Sequence, residues 1–241
     1  MYTEAHTDLA AGGPPRVSRA EEAYAEIKRR LLLGEHRLGS RLGEERLGAE
    51  LGISRTPIRE ALFRLHSEGL IDRHPDGGYR PRAPIVSGIR ELYEVRRGLE
   101  LMAVMRPLAH GSAYDIAMLE HIRDEWAILA EDLPEPDPGF VIADEAFHLG
   151  IAEASGNLAL VELLDHVNQR IRVVRMQDFM ARDRIAATVE QHLHIVTALI
   201  AGDLDEAASG LGDHLDESMA VVETLAARAL ARMLDRKEDR A

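Results

Sequence analysis

The sequence contains no cysteine, few aromatic residues and no long apolar run. Among its 241 residues Phe, Trp and Tyr make up 4%, and Cys is absent. The lack of cysteine excludes disulfides and thiolate metal sites and agrees with a reducing compartment. No segment approaches the roughly 20 apolar residues of a membrane-spanning helix, and residues 1–15 lack the basic start and apolar stretch of a secretory signal. We therefore expect a cytoplasmic protein with no membrane partner.

The amino-acid composition predicts a mainly α-helical globular protein. Hydrophobic residues make up 46% of the chain, which is typical of globular proteins and too high for a disordered one. Because aromatic residues are scarce, the core must consist of Leu, Ala, Ile, Val and Met, a set that favours helices. The length suits one large domain or two of ordinary size.

The two parts of the chain differ sharply in charge. The formal net charge is −13, which by itself argues against a nucleic-acid partner. Residues 1–84, however, hold 14 Lys and Arg against 13 Asp and Glu, whereas residues 85–241 hold 15 against 29. The acidity therefore belongs to the second part alone, and this asymmetry indicates two modules with different partners.

The first module, which we call the head, is predicted over residues 18–82, after a disordered tail at residues 1–17. The pattern indicates helices over about 20–33 and 44–51, and a third that begins after Ser54 and stops at Gly69. Two short strands around a Pro-Asp-Gly-Gly turn follow. Three short helices and a small β-hairpin are typical of a winged helix-turn-helix.

The third helix has the features of a DNA-recognition helix. Its apolar face would place Arg55 and Arg59, four residues apart, together on the opposite side, with Thr56 beside them. The N-terminus of a helix also offers free N–H groups and a positive dipole to a phosphate. Such arginines could contact guanine edges or phosphates in the major groove. The alternative is that they only keep an exposed helix soluble.

Other basic residues extend this surface. Arg41 and Arg73 are the ones we single out, and Arg46, Arg80 and Arg82 could contribute as well. In this arrangement the hairpin would lie over the DNA backbone as a wing.

The second module, which we call the bundle, is predicted over residues 83–235, with a tail at residues 236–241. Six helices joined by short connections indicate an antiparallel all-α bundle. They are predicted at about 86–110, 113–132, 138–154, 157–179, 182–201 and 204–234.

Helical phase places four potential metal ligands inside the bundle. Asp144 and His148 lie four residues apart on one apolar stripe, and His192 and His214 lie on the inner faces of two later helices. His194, by contrast, is rotated away from His192 by roughly 200°. Each inward histidine alone would more often be a hydrogen-bonded core residue. Four convergent donors without sulfur favour a divalent metal instead, and Zn²⁺, Ni²⁺, Mn²⁺ and Fe²⁺ all fit.

Arg96 lies on the inward stripe of the first bundle helix. A buried arginine near a metal would suit a carboxylate ligand, which it could hold through two hydrogen bonds. The alternative is a salt bridge, for instance to Glu100.

Two segments resemble known families. Residues 47–70, LGAELGISRTPIREALFRLHSEGL, resemble the winged helix-turn-helix of the GntR family of bacterial transcription regulators. The resemblance implies that Arg55, Thr56 and Arg59 contact DNA and that the Gly77-Gly78 turn is the wing tip, with Gly78 at the DNA. Some relatives place a DNA-contacting arginine where this chain has Glu45.

The bundle resembles the ligand-binding domain of the FadR subfamily of that family. The similarity is visible in the Asp144–His148 segment and in the Gln191-His192 stretch that leads to His214. It implies a divalent metal on Asp144, His148, His192 and His214 at the base of an effector cavity, and a small organic acid as the effector. Gln191 stands where Glu is usual.

The function that these observations favour is a transcription regulator, not an enzyme. We expect a homodimeric repressor, associated with the nucleoid, that binds a palindromic double-stranded operator and responds to a small carboxylate bound beside the metal. One alternative is a metal-dependent helical-bundle hydrolase, because an open metal site can activate water. Another is a regulator that responds to the metal alone.

Overall fold

The computed structural model describes residues 18–84, 87–110 and 113–235, with the backbone alone for residues 108–110. The tails predicted at residues 1–17 and 236–241 lie outside this part of the chain. The head contains α1 Arg19–Leu32, α2 Glu44–Leu51, α3 Arg55–Ser67, β1 Ile71–Arg73 and β2 Tyr79–Pro81. The bundle contains α4 Ile89–His110, α5 Ile116–Glu131, α6 Phe140–Ala154, α7 Leu158–Arg175, a 3-10 turn at Asp178–Met180, α8 Arg182–Ala201 and α9 Leu204–Asp235.

The head folds as its local sequence signals predict. The Ser18 hydroxyl caps α1 by accepting a hydrogen bond from the Glu21 N–H at 3.1 Å. Gly52, with φ at +66°, supplies the left-handed turn between α2 and α3. The third helix begins after Ser54 as predicted, and the Ser54 backbone occupies the N-cap position, although its side chain makes no capping hydrogen bond.

The two strands of the head form an antiparallel hairpin. Ile71 pairs with Pro81, and Gly77 and Gly78 at its tip have φ of +85° and +80°. On the other side of β2, the Leu42 N–H donates to the Tyr79 carbonyl at 2.8 Å. The hairpin is thereby fixed beside the start of α2, next to the recognition helix α3.

The six predicted bundle helices are confirmed in the described residues, with one difference. The fourth was predicted to continue to about residue 179, but α7 ends at Arg175 and a 3-10 turn follows. Asp178 and Phe179 in this turn are buried, and Arg184 pairs with Asp178 at 2.8 Å. An apolar pattern that continues past a helix end does not reveal this tightening of the backbone.

The last helix connects the bundle to the head. The Leu38 N–H of the head donates to the Met233 carbonyl of α9 at 3.0 Å. Gly34, with φ at +70°, lies so close to α9 that a Cβ there would clash with the Ala229 carbonyl. The helix that supplies His214 to the bundle interior thus ends against the head.

None of the described helices has an apolar stretch long enough to cross a bilayer.

Candidate DNA-binding face and candidate metal centre

The two arginines of the recognition helix are exposed and paired with acidic residues of α2. The Arg55 side chain is 63% exposed and contacts Glu45 at 2.8 Å. The Arg59 side chain is 69% exposed and donates two hydrogen bonds to Glu44, from Nε at 3.1 Å and from Nη2 at 2.9 Å. These hydrogen bonds lower the pKa of Glu44. Both guanidinium groups therefore face solvent on one side of the head, as predicted.

A groove of about 730 Å³ lies between this helix and the hairpin. Its lining includes Arg41, Arg55 and Gly78 from the predicted DNA-binding set, together with Glu45 and Arg46. The segment before α2, the start of α3 and the tip of the hairpin thus line one surface. This is the arrangement expected of a recognition helix and its wing.

The other predicted DNA contacts lie around that groove. Thr56 is exposed at the start of α3. Arg73 is exposed at the end of β1, where its guanidinium lies over the Tyr79 ring at 4.6 Å.

The four predicted metal ligands meet inside the bundle. Asp144, His148, His192 and His214 are all buried, and one ligand atom from each lies within 4.8 Å of the others. The Nε2 atoms of His192 and His214 are 3.3 Å apart. Asp144 offers one oxygen 3.7 Å from His192 Nε2 and the other 3.8 Å from His148 Nε2. Helical phase therefore predicted this cluster correctly, while His194 is about half exposed on the outside.

Two of the imidazoles are oriented by residues behind them. Nδ1 of His148 is 2.6 Å from a Glu100 carboxylate oxygen, and Nδ1 of His214 is 2.8 Å from the Gln191 amide oxygen. In each ring a proton on Nδ1 donates outward and leaves the Nε2 lone pair for the cluster. His148 Nε2 is buried and has no hydrogen-bond partner. This donor set fits a divalent cation, and Gln191 performs the orienting role in place of Glu.

The ionisation of the cluster is also that of a metal site. Burial lowers the pKa of His214 to about 3, and burial together with the neighbouring imidazoles lowers that of His192 well below its usual value. Burial acts to raise the pKa of Asp144, but the positive charge of Arg175 outweighs it and holds this pKa below its usual range. Neutral imidazoles beside a carboxylate are the forms that bind metal.

Arg96 is buried, and its nitrogen atoms divide between the two interpretations of its role. Its Nε donates to Glu100 at 2.6 Å, which is the salt bridge considered as the alternative. Its two terminal nitrogens, Nη1 and Nη2, are buried without a hydrogen-bond partner. Burial acts to raise the pKa of Glu100, but Arg96 and His148 outweigh this and lower it to about 2. The salt bridge therefore leaves the outer edge of the guanidinium available to a ligand.

The sequence reasoning missed a second buried arginine. Arg175, at the end of α7, is ion-paired with Asp144, and its Nη1 lies 3.6 Å from Glu145. Arg172 also pairs with Glu145, at 2.6 Å, which engages the nearest carboxylate that could act as a base. Arg175 shares its helix face with Asn168, which is also buried. Their spacing of seven residues was a usable signal, because it continues the apolar stripe of α7.

Comparisons with known proteins agree with both modules. Residues 19–80 match the family described as bacterial regulatory proteins, gntR family, and residues 91–217 match the FCD domain. The Nta operon transcriptional regulator of Aminobacter aminovorans is 30% identical over 204 residues, which cover 84% of this chain and 94% of that protein.

Solved structures show the same fold. A transcriptional regulator GntR from Rhodococcus sp. RHA1 has 25% identity and a TM-score of 0.52, over 85% of this chain and 97% of that one. McbR/YncC of E. coli has 24% identity and a TM-score of 0.51, over 86% and 98% of the two chains. The proteins found are transcription regulators. This confirms the prediction of a regulator over the alternative of a metal-dependent hydrolase. This chain belongs to the GntR family of bacterial transcription regulators and combines a DNA-binding helix-turn-helix with an FCD domain.

Proposed function

We propose that this regulator is a repressor of the FadR subfamily whose operator affinity is controlled by a small organic acid bound beside a divalent metal in the bundle. One observation carries the proposal: four buried metal donors converge next to Arg96, whose terminal nitrogens have no partner. A buried guanidinium with unpaired donors is unfavourable unless an acceptor reaches it. A carboxylate supplies such an acceptor with matching geometry.

The proposed metal ligands are Asp144, His148, His192 and His214. Nitrogen and oxygen donors fit Zn²⁺, Ni²⁺, Mn²⁺ or Fe²⁺. When bound, the ion would supply a Lewis acid that accepts a carboxylate oxygen of the ligand. Glu100 and Gln191 hold two of the rings in the required tautomer.

The proposed route from the bundle to the head is α9. It supplies His214 from its first part and contacts the head near Gly34 and Leu38 from its last part. A ligand that binds one position of α9 more tightly than another would shift the head between arrangements. The direction of control follows from which arrangement fits the operator.

The proposed DNA contacts are Arg55, Thr56 and Arg59 on the recognition helix, with Arg41, Arg73 and Gly78 around the hairpin. The exposure of the two recognition-helix arginines supports this assignment. The net charge of −14 on residues 85–241 supports it too, because the bundle would repel phosphates and leave contact to the head.

The proposed assembly is a homodimer that reads two half-sites of a palindrome. Val95 and Met102 on α4 and Leu163 on α7 are exposed apolar residues. These two helices pack against each other, and we propose their exposed apolar residues as the contact with a second copy. Light scattering should give twice the 26.7 kDa chain mass, and Met102→Glu should give a monomer. A monomeric wild type would contradict the dimer.

The test of the metal site compares two buried histidines of the cluster with one exposed histidine. Elemental analysis of purified protein should find about one divalent ion per chain. The double variant His148→Ala, His192→Ala should lose it, whereas His194→Ala, which removes the exposed histidine of the same helix, should retain it. Full metal in the double variant would refute the site.

The test of the effector uses the metal-loaded protein. Small carboxylic acids are screened for thermal stabilisation and for release of an operator duplex selected from random sequence. Release by an acid supports the proposal. Release of the operator that depends on the metal concentration and is unaffected by every acid would instead favour a regulator that responds to metal alone.

A further inference from the structure

A chain of hydrogen bonds leads from the surface of the bundle to His214. Nδ1 of His214 is 2.8 Å from the Gln191 amide oxygen, and the Gln191 amide nitrogen donates to one carboxylate oxygen of Glu217 at 2.7 Å. The other oxygen of Glu217 accepts from Arg184, which also donates to Asp178 at 2.8 Å. The Glu217 side chain is 46% exposed, whereas His214 is 2% exposed. An exposed carboxylate is thereby connected to a buried imidazole.

The amide of Gln191 has two possible orientations, because the oxygen and nitrogen ends of a glutamine amide have nearly the same shape. The oxygen end accepts a proton carried by Nδ1 of His214. The nitrogen end would instead donate to Nδ1, and the neutral ring would then carry its proton on Nε2, the atom that faces the cluster. An ionised carboxylate only accepts hydrogen bonds. Glu217 therefore attracts the nitrogen end of Gln191 and turns the oxygen end towards His214.

The Glu217 carboxylate is itself fixed by Arg184. This arginine side chain is 13% exposed and bridges Glu217 to Asp178, whose side chain is 2% exposed in the 3-10 turn. Hydrogen bonds between a guanidinium and a carboxylate are charge-assisted and directional. The exposed carboxylate is thus held where it meets Gln191, and the 3-10 turn that replaces the end of α7 supplies the anchor.

The contact between two histidines of the cluster agrees with this proton position. Nε2 of His192 and Nε2 of His214 are 3.3 Å apart. When the proton of His214 is on Nδ1, its Nε2 is an acceptor, and Nε2–H of His192 can donate to it. With a proton on Nε2 of both rings, two donors would face each other at this distance.

We propose that Glu217 is a positioning residue which, through Gln191, holds the proton of His214 on Nδ1 and leaves Nε2 free to bind the metal. The consequence for metal binding rests on the proposed function, while the position of the proton does not require a metal. A glutamate at position 191 would need no such partner, because both of its oxygens accept. In this chain the orienting negative charge lies one residue further out, on Glu217.

The first experiment locates the proton on the ring. Two-bond ¹H–¹⁵N correlation spectra of the metal-free, full-length protein show which nitrogen of each imidazole is protonated, and His214→Gln assigns the signals of that ring. The wild type should carry the proton on Nδ1, and Glu217→Leu should give a mixture with Nε2. The control Asp216→Leu removes a neighbouring exposed carboxylate that pairs with Arg97 at 2.6 Å and should match the wild type. An unchanged tautomer in Glu217→Leu would overturn the proposal.

The second experiment measures Zn²⁺ affinity by competition with a chelator. Glu217→Leu should weaken binding about 10-fold, the lower end of the range for residues that orient a metal ligand, and Asp216→Leu should not. In a Gln191→Glu background the same Glu217→Leu substitution should strengthen binding, because it removes repulsion between two carboxylates. A merely structural role of Glu217 would not reverse the sign of its effect.

The outcomes separate this inference from the proposed function. Melting temperatures confirm first that each variant is folded. An equal loss of Zn²⁺ affinity in both backgrounds would overturn the positioning role and leave the metal site in place. A wild type that binds no metal, but whose His214 proton responds to Glu217→Leu, would overturn the proposed metal site and leave Glu217 as the residue that sets the tautomer.

Discussion

In the head, Arg55 and Arg59 are exposed and paired with Glu45 and Glu44, whereas in the bundle Arg96 is buried and keeps donors without an acceptor. Exposed ion pairs contribute little to stability because water competes for both partners. The arginines of the head can therefore exchange a carboxylate for DNA at small cost. A buried arginine has no access to water, so its unpaired N–H donors are stabilised when a ligand supplies acceptors. Under the proposed function, the same type of side chain thus makes reversible surface contact with DNA in one module and binds a ligand in the other.

The largest effect on stability is expected from the buried pair. Arg96→Met leaves Glu100 charged and buried beside His148, and breaking such a pair costs about 3–5 kcal/mol. The matched control is Arg90→Met on the same helix, which removes an exposed partner of Glu223 and should cost about 1 kcal/mol or less. Urea unfolding of both variants measures the difference. Equal losses would mean that burial does not distinguish the two pairs.

The next effect concerns DNA affinity and belongs to the head. Replacing Arg55 and Arg59 with alanine should weaken operator binding at least about 30-fold, because each base contact is worth on the order of 1–3 kcal/mol. Circular dichroism should be unchanged, since both side chains are largely exposed. Arg123→Ala, at a surface arginine of α5, should bind normally. Unchanged operator affinity in the double variant would contradict the recognition-helix assignment.

The pH dependence of the free energy of unfolding should arise mainly from the bundle. His214 has a pKa of about 3 in the folded protein against 6.5 ordinarily. Below pH 6.5 the unfolded state therefore takes up a proton that the folded state does not bind. The stabilising contribution of the neutral ring is present above pH 6.5 and declines from there towards pH 3, by about 1.4 kcal/mol per pH unit.

This decline is measurable in protein stripped of metal by a chelator. The single Trp, Trp126, contacts His192 with ring centroids 4.2 Å apart, so its fluorescence reports unfolding of the bundle. The urea midpoint should fall between pH 6.5 and pH 5, and His214→Gln should reduce that slope, with His192, whose pKa is also lowered well below its usual value, contributing the rest. A midpoint that does not move in the wild type would contradict the buried neutral imidazole.

The smallest effect is expected from Glu45. Glu45→Gln removes a negative charge from the groove between the recognition helix and the hairpin, and it releases Arg55. Affinity for operator and scrambled duplexes alike should rise about two- to fivefold, the scale of an exposed charge pair. Glu120→Gln on the exposed side of α5 is the control. A loss of affinity in fluorescence anisotropy would show that Glu45 instead holds Arg55 in its reading position.

Much of the site could be predicted because helical phase depends only on sequence. A 3.6-residue period placed Asp144, His148, His192 and His214 inside and His194 outside, and the structure agrees. The same rule predicted that Arg96 points into the bundle.

The remaining contacts depend on how neighbouring helices face each other, which periodicity within one helix does not determine. The pairing of Glu100 with His148 and of Arg175 with Asp144 joins different helices. The early end of α7 and the missing Ser54 cap bond likewise depend on local backbone geometry. The DNA contacts, the metal and the domain boundaries near residue 82 stay predictions.

The central claim is that the buried centre of the bundle controls the affinity of the head for DNA. The most direct test is fluorescence anisotropy with an operator duplex, on metal-loaded protein titrated with the small carboxylic acid that stabilises it most. The wild type and His194→Ala should change operator affinity at least about fivefold on saturation, within the usual range of coupling between sites, while His192→Ala should not respond. An equal response in His192→Ala, or none in the wild type, would contradict the claim.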